Sequence, residues 1–248
     1  MTSLPQPSLA EPLPFRASDY VNDNKPHILL ASTGSVATIK LPLIAQALSQ
    51  YPVSIRILLT PSASEFLQSQ SAEQPSYKTL LAVPNIEGIY TDADEWSTPW
   101  TRGASILHIE LRRWADLYVI APLSANSLAK MVGGMADSLV LAVARAWDTT
   151  GTIDVVREGG IRTKHGKKMV IVAPAMNTAM WLHPVTGKQI KVLEEEWGVG
   201  VGGWVKVLRP VEKEIACGDT GSGAMREWKD IVREVENWIG VNEKEEDG

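Results

Sequence analysis

Four short apolar runs, His27 to Ala31, Val53 to Thr60, Leu117 to Ala121 and Met169 to Ala173, set the terms for any fold this chain can take. They lack the polar alternation of a strand with one wet face, and turn residues bound each of them, so they read as strands covered on both sides. Helix-length stretches separate them, at about Leu41 to Gln50, Ser62 to Gln70, Ile106 to Trp114, Ser127 to Val132 and Ser138 to Trp147, then Ala179 to Glu196 in pieces and Glu227 to Gly240. This alternation predicts a parallel sheet between two helical layers, a three-layer α/β/α fold. Two stretches break the rhythm: Thr91 to Gly103 is acidic and carries tryptophan and proline, and Thr149 to Lys168 is polar and glycine-rich without an apolar period. Both are expected to be surface loops.

A chain of 248 residues with 44% hydrophobic and 21% charged side chains is long enough for one substantial core. The expected division is a disordered N-terminal leader over 1–24, one domain over 25–240 with 149–168 as a loop insertion, and an acidic tail over 241–248. The leader lacks both a secretory apolar core and an arginine-rich transit pattern. A single cysteine excludes an internal disulfide framework and fits a reducing compartment, and no apolar run is long enough to span a bilayer, so a cytoplasmic protein without a membrane partner is expected. A net charge of -5 argues against a broad nucleic-acid footprint. No zinc-ligand spacing is present, and no metal is expected.

In parallel sheets ligands bind beyond the carboxyl ends of the strands. After the first run comes Ser32-Thr33-Gly34-Ser35-Val36-Ala37, whose small residues leave N–H groups and hydroxyls free to face an anion, or simply make a turn. It is neither a GxGxxG fingerprint nor a phosphate-binding GxxxxGKS/T loop. After the second, Thr60-Pro61-Ser62 puts hydroxyls at a helix start, where capping is the competing role. After the third, Ser124-Ala125-Asn126-Ser127 repeats the pattern, and after the fourth Asn177 is either a helix cap or a ligand-reading amide set among apolar residues. Three such junctions on one edge would make a polar cradle of phosphate size.

Two further residues carry chemistry. His108 opens the run through Asp116 and is either a surface histidine on a helix or an acid or base working near neutral pH. Cys217 sits in Ala216-Cys217-Gly218-Asp219-Thr220-Gly221-Ser222-Gly223-Ala224-Met225, which reads as a reactive thiol on a mobile flap or as a small buried hydrophobe beside a turn.

Taken together, five segments resemble the flavin-dependent cysteine decarboxylases, in the branch that acts on 4′-phosphopantothenoylcysteine and is related to plant and fungal halotolerance proteins. They are the Gly34 to Ala37 loop, His108 to Asp116, Ala121 to Asn126, the Pro-Ala-Met-Asn-x-x-Met-Trp run from Pro174 to Trp181, and the Cys217 segment. The resemblance covers about Lys25 to Trp238. It implies a flavodoxin-like, Rossmann-like sheet that binds FMN through Gly34, Ser35, Val36, Thr60, Ser62, Ser124, Ala125, Asn126 and Ser127, with Met176 near the ring. It also implies a homotrimer with sites at subunit boundaries. His108 matches the catalytic histidine, Asn177 the reader of the substrate carboxylate and Cys217 the flap thiol. Met180, Ala216, Gly218, Asp219, Gly221, Gly223 and Met225 match positions around the substrate.

The implied activity is FMN-dependent decarboxylation of 4′-phosphopantothenoylcysteine to 4′-phosphopantetheine in coenzyme A biosynthesis. Loss of CO₂ from an unactivated cysteine carboxylate leaves electrons with no sink, which a flavin supplies. In the family mechanism the thiol-bearing carbon is oxidised to a thioaldehyde, CO₂ leaves to give an enethiolate, and the hydride is returned, with Cys217 matching the final proton donor. The alternative is a non-catalytic or partner-dependent halotolerance-type subunit, which would associate with related chains or a protein phosphatase. The presence of His108, Asn177 and Cys217 together, and the short acidic tail, favour catalysis. Arg112 and Arg113 either pair an anion or serve a helix surface or interface. The 149–168 stretch is longer than the family connection.

Overall fold

The computed structural model describes residues 15–97, 99–158, 160–214 and 220–241. In chain order the elements are β1 (His27–Ser32), α1 (Leu41–Leu48), β2 (Ser54–Leu59), α2 (Pro61–Ser64), α3 (Tyr77–Leu81), β3 (Ile86–Thr91), α4 (Asp92–Glu95) and α5 (Leu107–Trp114). They continue through β4 (Leu117–Leu123), α6 (Ala125–Val132), α7 (Leu139–Ala146), β5 (Met169–Pro174), α8 (Thr178–Leu182) and α9 (Pro184–Lys191). Last come β6 (Val205–Val207), β7 (Val211–Glu214), β8 (Thr220–Ala224) and α10 (Trp228–Ile239).

Six strands form one parallel sheet in the order β3-β2-β1-β4-β5-β6, and β7 pairs with β8 as a separate antiparallel ribbon. The four apolar runs are β1, β2, β4 and β5, and every residue of these strands is buried. Alternate side chains serve opposite faces. Ile28, Leu30, Ile55, Ile57, Val119 and Ile171 join Ile44 and Leu48 of α1 and Ile231 and Val235 of α10 in one core layer. Leu29, Leu58, Tyr118, Ile120 and Val170 join Leu111 of α5, Leu128 of α6 and Val143 of α7 in the other. The expected three-layer fold is what forms.

The edge strand β3 escapes sequence reading because Glu87 and Gly88 interrupt its apolar run and its first two residues are half-buried. The stretch from Thr91 is not all loop: Asp94 Oδ2 accepts both the Thr91 backbone N–H at 2.7 Å and its hydroxyl at 2.9 Å, closing the turn of α4. Asp92 Oδ1 accepts the Leu139 N–H at 2.7 Å and tethers α4 to the start of α7. Burial raises the Asp92 carboxyl above its usual range, partly offset by that N–H.

The expected leader boundary at 24 falls too late. Phe15 is only 3% exposed and lies 4.2 Å from the guanidinium carbon of Arg56, a fully buried cation on β2 that also pairs with Glu87 at 3.0 Å. Tyr20 and Trp114 complete an aromatic enclosure around the same group. Residues 1–14 and 242–248, from the expected leader and tail, lie outside the described residues.

The 149–168 insertion packs at the amino ends of β1, β4 and β5, the edge opposite the predicted cradle. Asp148 accepts N–H groups from Thr150, Gly151, Ile153 and Asp154. Burial opposes its charge, yet those N–H groups and the Thr150 hydroxyl hold its carboxyl well below the usual range. Asp154 pairs with Arg112 at 3.1 Å and Lys168 at 2.9 Å, while Arg157 bridges Asp23 at 2.9 Å and Asp116 at 2.5 Å.

Candidate functional site

The strand order reverses direction between β1 and β4, and in doubly wound sheets the crevice at such a switch point is where ligands bind. A cavity of about 740 Å³ opens there. Gly34, Ser35 and Val36 reach it from the loop after β1, Ser124, Ala125 and Asn126 from the start of α6, Met176, Asn177 and Met180 from the loop after β5 and α8, Gly223 from β8 and Met225 from just beyond it. The fold therefore brings together three of the four strand-end junctions with the segment after the cysteine.

Threonine 33 locks the first two of these loops. Its hydroxyl donates to the Pro122 carbonyl at 3.0 Å and accepts the Ser124 N–H at 2.7 Å, while its own N–H also reaches Pro122 at 3.1 Å. The neighbouring Ser32 hydroxyl donates to the Ala121 carbonyl at 2.7 Å. Gly34 is forced by crowding, since a Cβ there would stand 2.7 Å from the Ser62 Cβ. Ser62, an exposed residue, therefore stands directly against Gly34; Thr60, Ser62 and Ser127 are not themselves among the residues around the cavity.

The capping and ligand-facing roles of these residues coexist. Thr60 caps α2 through the Ala63 N–H at 3.3 Å, Ser124 caps α6 through Ser127 at 3.3 Å, and Asn177 caps α8 with Oδ1 accepting the Met180 N–H at 2.8 Å. That cap leaves the Asn177 side-chain NH₂ as the group turned to other partners, on an exposed residue at the cavity wall. The loop bearing it is pinned by Gly223, whose carbonyl accepts the Met176 N–H at 3.0 Å.

His108 is not among the cavity's lining residues. It lies in the first turn of α5, with Nδ1 2.7 Å from Glu95 Oε1 and its backbone N–H donating to Glu95 Oε2 at 3.1 Å. Arg112 and Arg113 are also outside the cavity, and their charges are taken by Asp154 and by Glu110 at 2.9 Å. Gly221 lies on β8. Ala216, Cys217, Gly218 and Asp219 lie outside the described residues. Among the described residues no cluster of histidine, cysteine or carboxylate side chains is placed to hold a metal ion, and no helix is long and apolar enough to cross a membrane.

Comparison with known proteins agrees with this geometry. The model of the family described as Flavoprotein matches residues 16–240. This chain belongs to the Flavoprotein family. Among its relatives, phosphopantothenoylcysteine decarboxylase of Arabidopsis thaliana is 40% identical over 204 residues, covering 82% of this chain and 80% of that protein. A probable thymidylate synthase of Schizosaccharomyces pombe is 35% identical across 96% of this chain, which spans only 33% of that longer protein. Of solved structures, a PPC decarboxylase mutant with a cysteine replaced by serine, complexed with pantothenoylaminoethenethiol, matches with a TM-score of 0.66 at 38% identity over 86% of this chain and 97% of that one. The FMN binding protein AtHal3 matches with a TM-score of 0.65 at 39% identity over 86% and 95%.

The cavity of this flavoprotein suits a planar, singly phosphorylated cofactor. Ile39, Phe66, Met176, Met225 and Trp228 give apolar walls, and the N-terminus of α6 with the Gly34 loop gives backbone N–H groups beside them. Lys40 and Arg226 add positive charge, with Arg226 held at 2.9 Å by Asp230. Sequence reading marked Ala37, Ala175 and Ala224 as members of its motifs but missed Ile39, Lys40, Phe66, Arg226, Glu227 and Trp228. Most of them extend motifs it had already marked: Lys40 is six residues past Gly34, and Arg226 to Trp228 follow Met225 directly. Phe66 carried no local signal; only the packing of β2 beside β1 brings it to the cavity.

Proposed function

We propose that this chain is a phosphopantothenoylcysteine decarboxylase that binds FMN at the switch point and converts 4′-phosphopantothenoylcysteine to 4′-phosphopantetheine and CO₂ in the cytoplasm. The observation that carries the reading is the joining of the Gly34, Ser124 and Asn177 loops around one cavity whose walls fit a flavin, in a chain sharing 38% identity with a PPC decarboxylase complex over nearly the whole of that chain. Gly34, Ser35, Val36 and the start of α6 would hold the phosphate and Met176 would lie against the ring.

When bound, FMN supplies a reversible two-electron sink. The protein's own part is placement and proton traffic. The Asn177 NH₂ is free to donate to a substrate carboxylate, because its Oδ1 is fixed by the Met180 N–H. His108 offers a ring nitrogen to move a substrate proton, and Cys217 offers a thiol proton at the end of the cycle.

The position of His108 outside the lining set favours a trimer in which a neighbouring copy brings His108 to each cavity. Met180 and Leu182, 50% and 69% exposed on α8, supply apolar surface of the kind such contacts cover. The test is turnover of 4′-phosphopantothenoylcysteine by the purified protein, followed by CO₂ release alongside the bound-flavin spectrum and molar mass. Activity regained when inactive His108→Asn and Asn177→Ala chains are co-expressed supports shared sites. Bound flavin without turnover removes the reading of a self-sufficient decarboxylase in favour of a partner-dependent or regulatory subunit, and turnover by a monomer removes the trimer.

A further inference from the structure

Glu95 spends both carboxylate oxygens on one residue. Oε1 lies 2.7 Å from His108 Nδ1 and Oε2 accepts the His108 backbone N–H at 3.1 Å. The Glu95 side chain is 7% exposed and that of His108 24%, so the contact is shielded while one side of the ring stays accessible. A carboxylate only accepts, so the proton at this contact belongs to Nδ1, and Nε2 is the nitrogen left to exchange protons with anything outside.

The turn that presents Glu95 is itself fixed. Asp94 closes the turn against Thr91 and Asp92 ties it to the N-terminus of α7, so three acidic residues of one short helix hold three different partners. The far end of α5 is held as well, since the Lys168 ammonium donates to the carbonyls of Arg112 at 2.7 Å and Arg113 at 3.1 Å. An incidental surface ion pair would not need a bidentate grip on ring and backbone of the same residue, nor a support clamped on both sides.

We infer that Glu95 is the positioning residue of His108: it sets the imidazole's rotation and tautomer, Nδ1–H, so that Nε2 performs the proton transfer. This rests on the reading of His108 as the catalytic histidine. The role parallels the carboxylate that orients a catalytic imidazole in hydrolase triads, without itself touching substrate.

The test uses the full-length flavin-loaded protein, with Glu95→Gln, Glu95→Ala and His108→Gln beside the wild type. Two readouts are taken: steady-state decarboxylation of 4′-phosphopantothenoylcysteine, and two-bond ¹H–¹⁵N correlations that report which ring nitrogen of His108 carries the proton. Both Glu95 variants are expected to keep their flavin, to hold KM within about threefold and to lose roughly 10- to 100-fold in kcat, the cost typical of removing a partner that orients a functional histidine. The Nδ1–H signature of the wild type should give way to Nε2–H in Glu95→Ala. Wild-type kcat and an unchanged tautomer in Glu95→Gln and Glu95→Ala, with His108→Gln inactive, would overturn the inference and leave the His108 role standing. Full activity in His108→Gln would instead remove the role on which the inference rests.

Discussion

Gly223 and Met176 touch through their backbones: the Gly223 carbonyl accepts the Met176 N–H at 3.0 Å, and a Cβ on Gly223 would lie 2.2 Å from the Met176 carbonyl oxygen. Strand β8, which follows Cys217 in the chain, is thereby docked onto the loop that carries Asn177. Gly223→Ala should leave the six-stranded sheet folded, because that contact lies outside it, but lift the ribbon from the loop. Substrate KM is expected to rise at least about tenfold with the far-ultraviolet dichroism unchanged. Wild-type kinetics in this variant would show that the two segments need not touch during turnover.

Thr33 predicts a stability effect coupled to cofactor binding. Thr33→Val keeps the shape but leaves the Ser124 N–H without its acceptor and the Pro122 carbonyl without its hydroxyl donor, a cost of about 1 to 3 kcal/mol in a buried setting. Urea unfolding should report that loss, and flavin should dissociate more readily because α6 starts from the loosened loop. Thr33→Ser, which retains both bonds, should lie near the wild type. Equal stability of all three would remove the clamp.

Lys168 predicts a pH dependence of unusual sign. Burial brings its ammonium down from 10.5 to about 8, against the pull of Asp154. Between those two values the unfolded chain holds a proton that the folded chain has released, so this residue's contribution to stability rises with pH across the window and levels off below it. The difference in unfolding free energy between wild type and Lys168→Met should grow in favour of the wild type by on the order of 3 kcal/mol from pH 8 to 10.5. A difference that stays flat over that range would mean the ammonium is not desolvated as the fold implies.

The roles proposed for Asn177 and Cys217 predict separable products. Cys217→Ser should bind flavin and release CO₂ but accumulate the oxidised enethiol, because the last proton is missing. Asn177→Asp should stall earlier by setting a negative charge beside the substrate carboxylate, with product formation falling roughly 100-fold or more. Mass spectrometry of the products distinguishes them, and saturated product made at wild-type rate by Cys217→Ser would remove the thiol's assigned role.

Much of this molecule was readable before any coordinates. The buried strands β1, β2, β4 and β5 announce themselves because a strand covered on both faces must be apolar throughout, and such runs are local in sequence. The loops at their carboxyl ends follow from that register, which is why Gly34, Ser124, Asn177 and their neighbours were found as a set. What escaped reading depends on partners distant in the chain. Phe15 has no periodic company and is buried by packing against residues distant in the chain, the rings of Tyr90 and Trp114 and the guanidinium of Arg56. The polar 149–168 stretch read only as a surface loop because its anchoring comes from ion pairs with Arg112, Asp116 and Asp23 rather than from an apolar face.

The sequence by itself determined the layered parallel fold and the strand-end loops at which a ligand would bind, since each is written in short stretches with their own periodicity, while the flavin-linked decarboxylation was legible only through the resemblance of five segments to a known family. Tertiary structure alone decided that Thr33 clamps Ser124, that Ser62 stands against Gly34, and that Glu95 grips His108. Hydrogen bonds and close contacts of this kind depend on where the sheet order sets whole elements, and strand order is fixed by packing across the fold, not by any single segment.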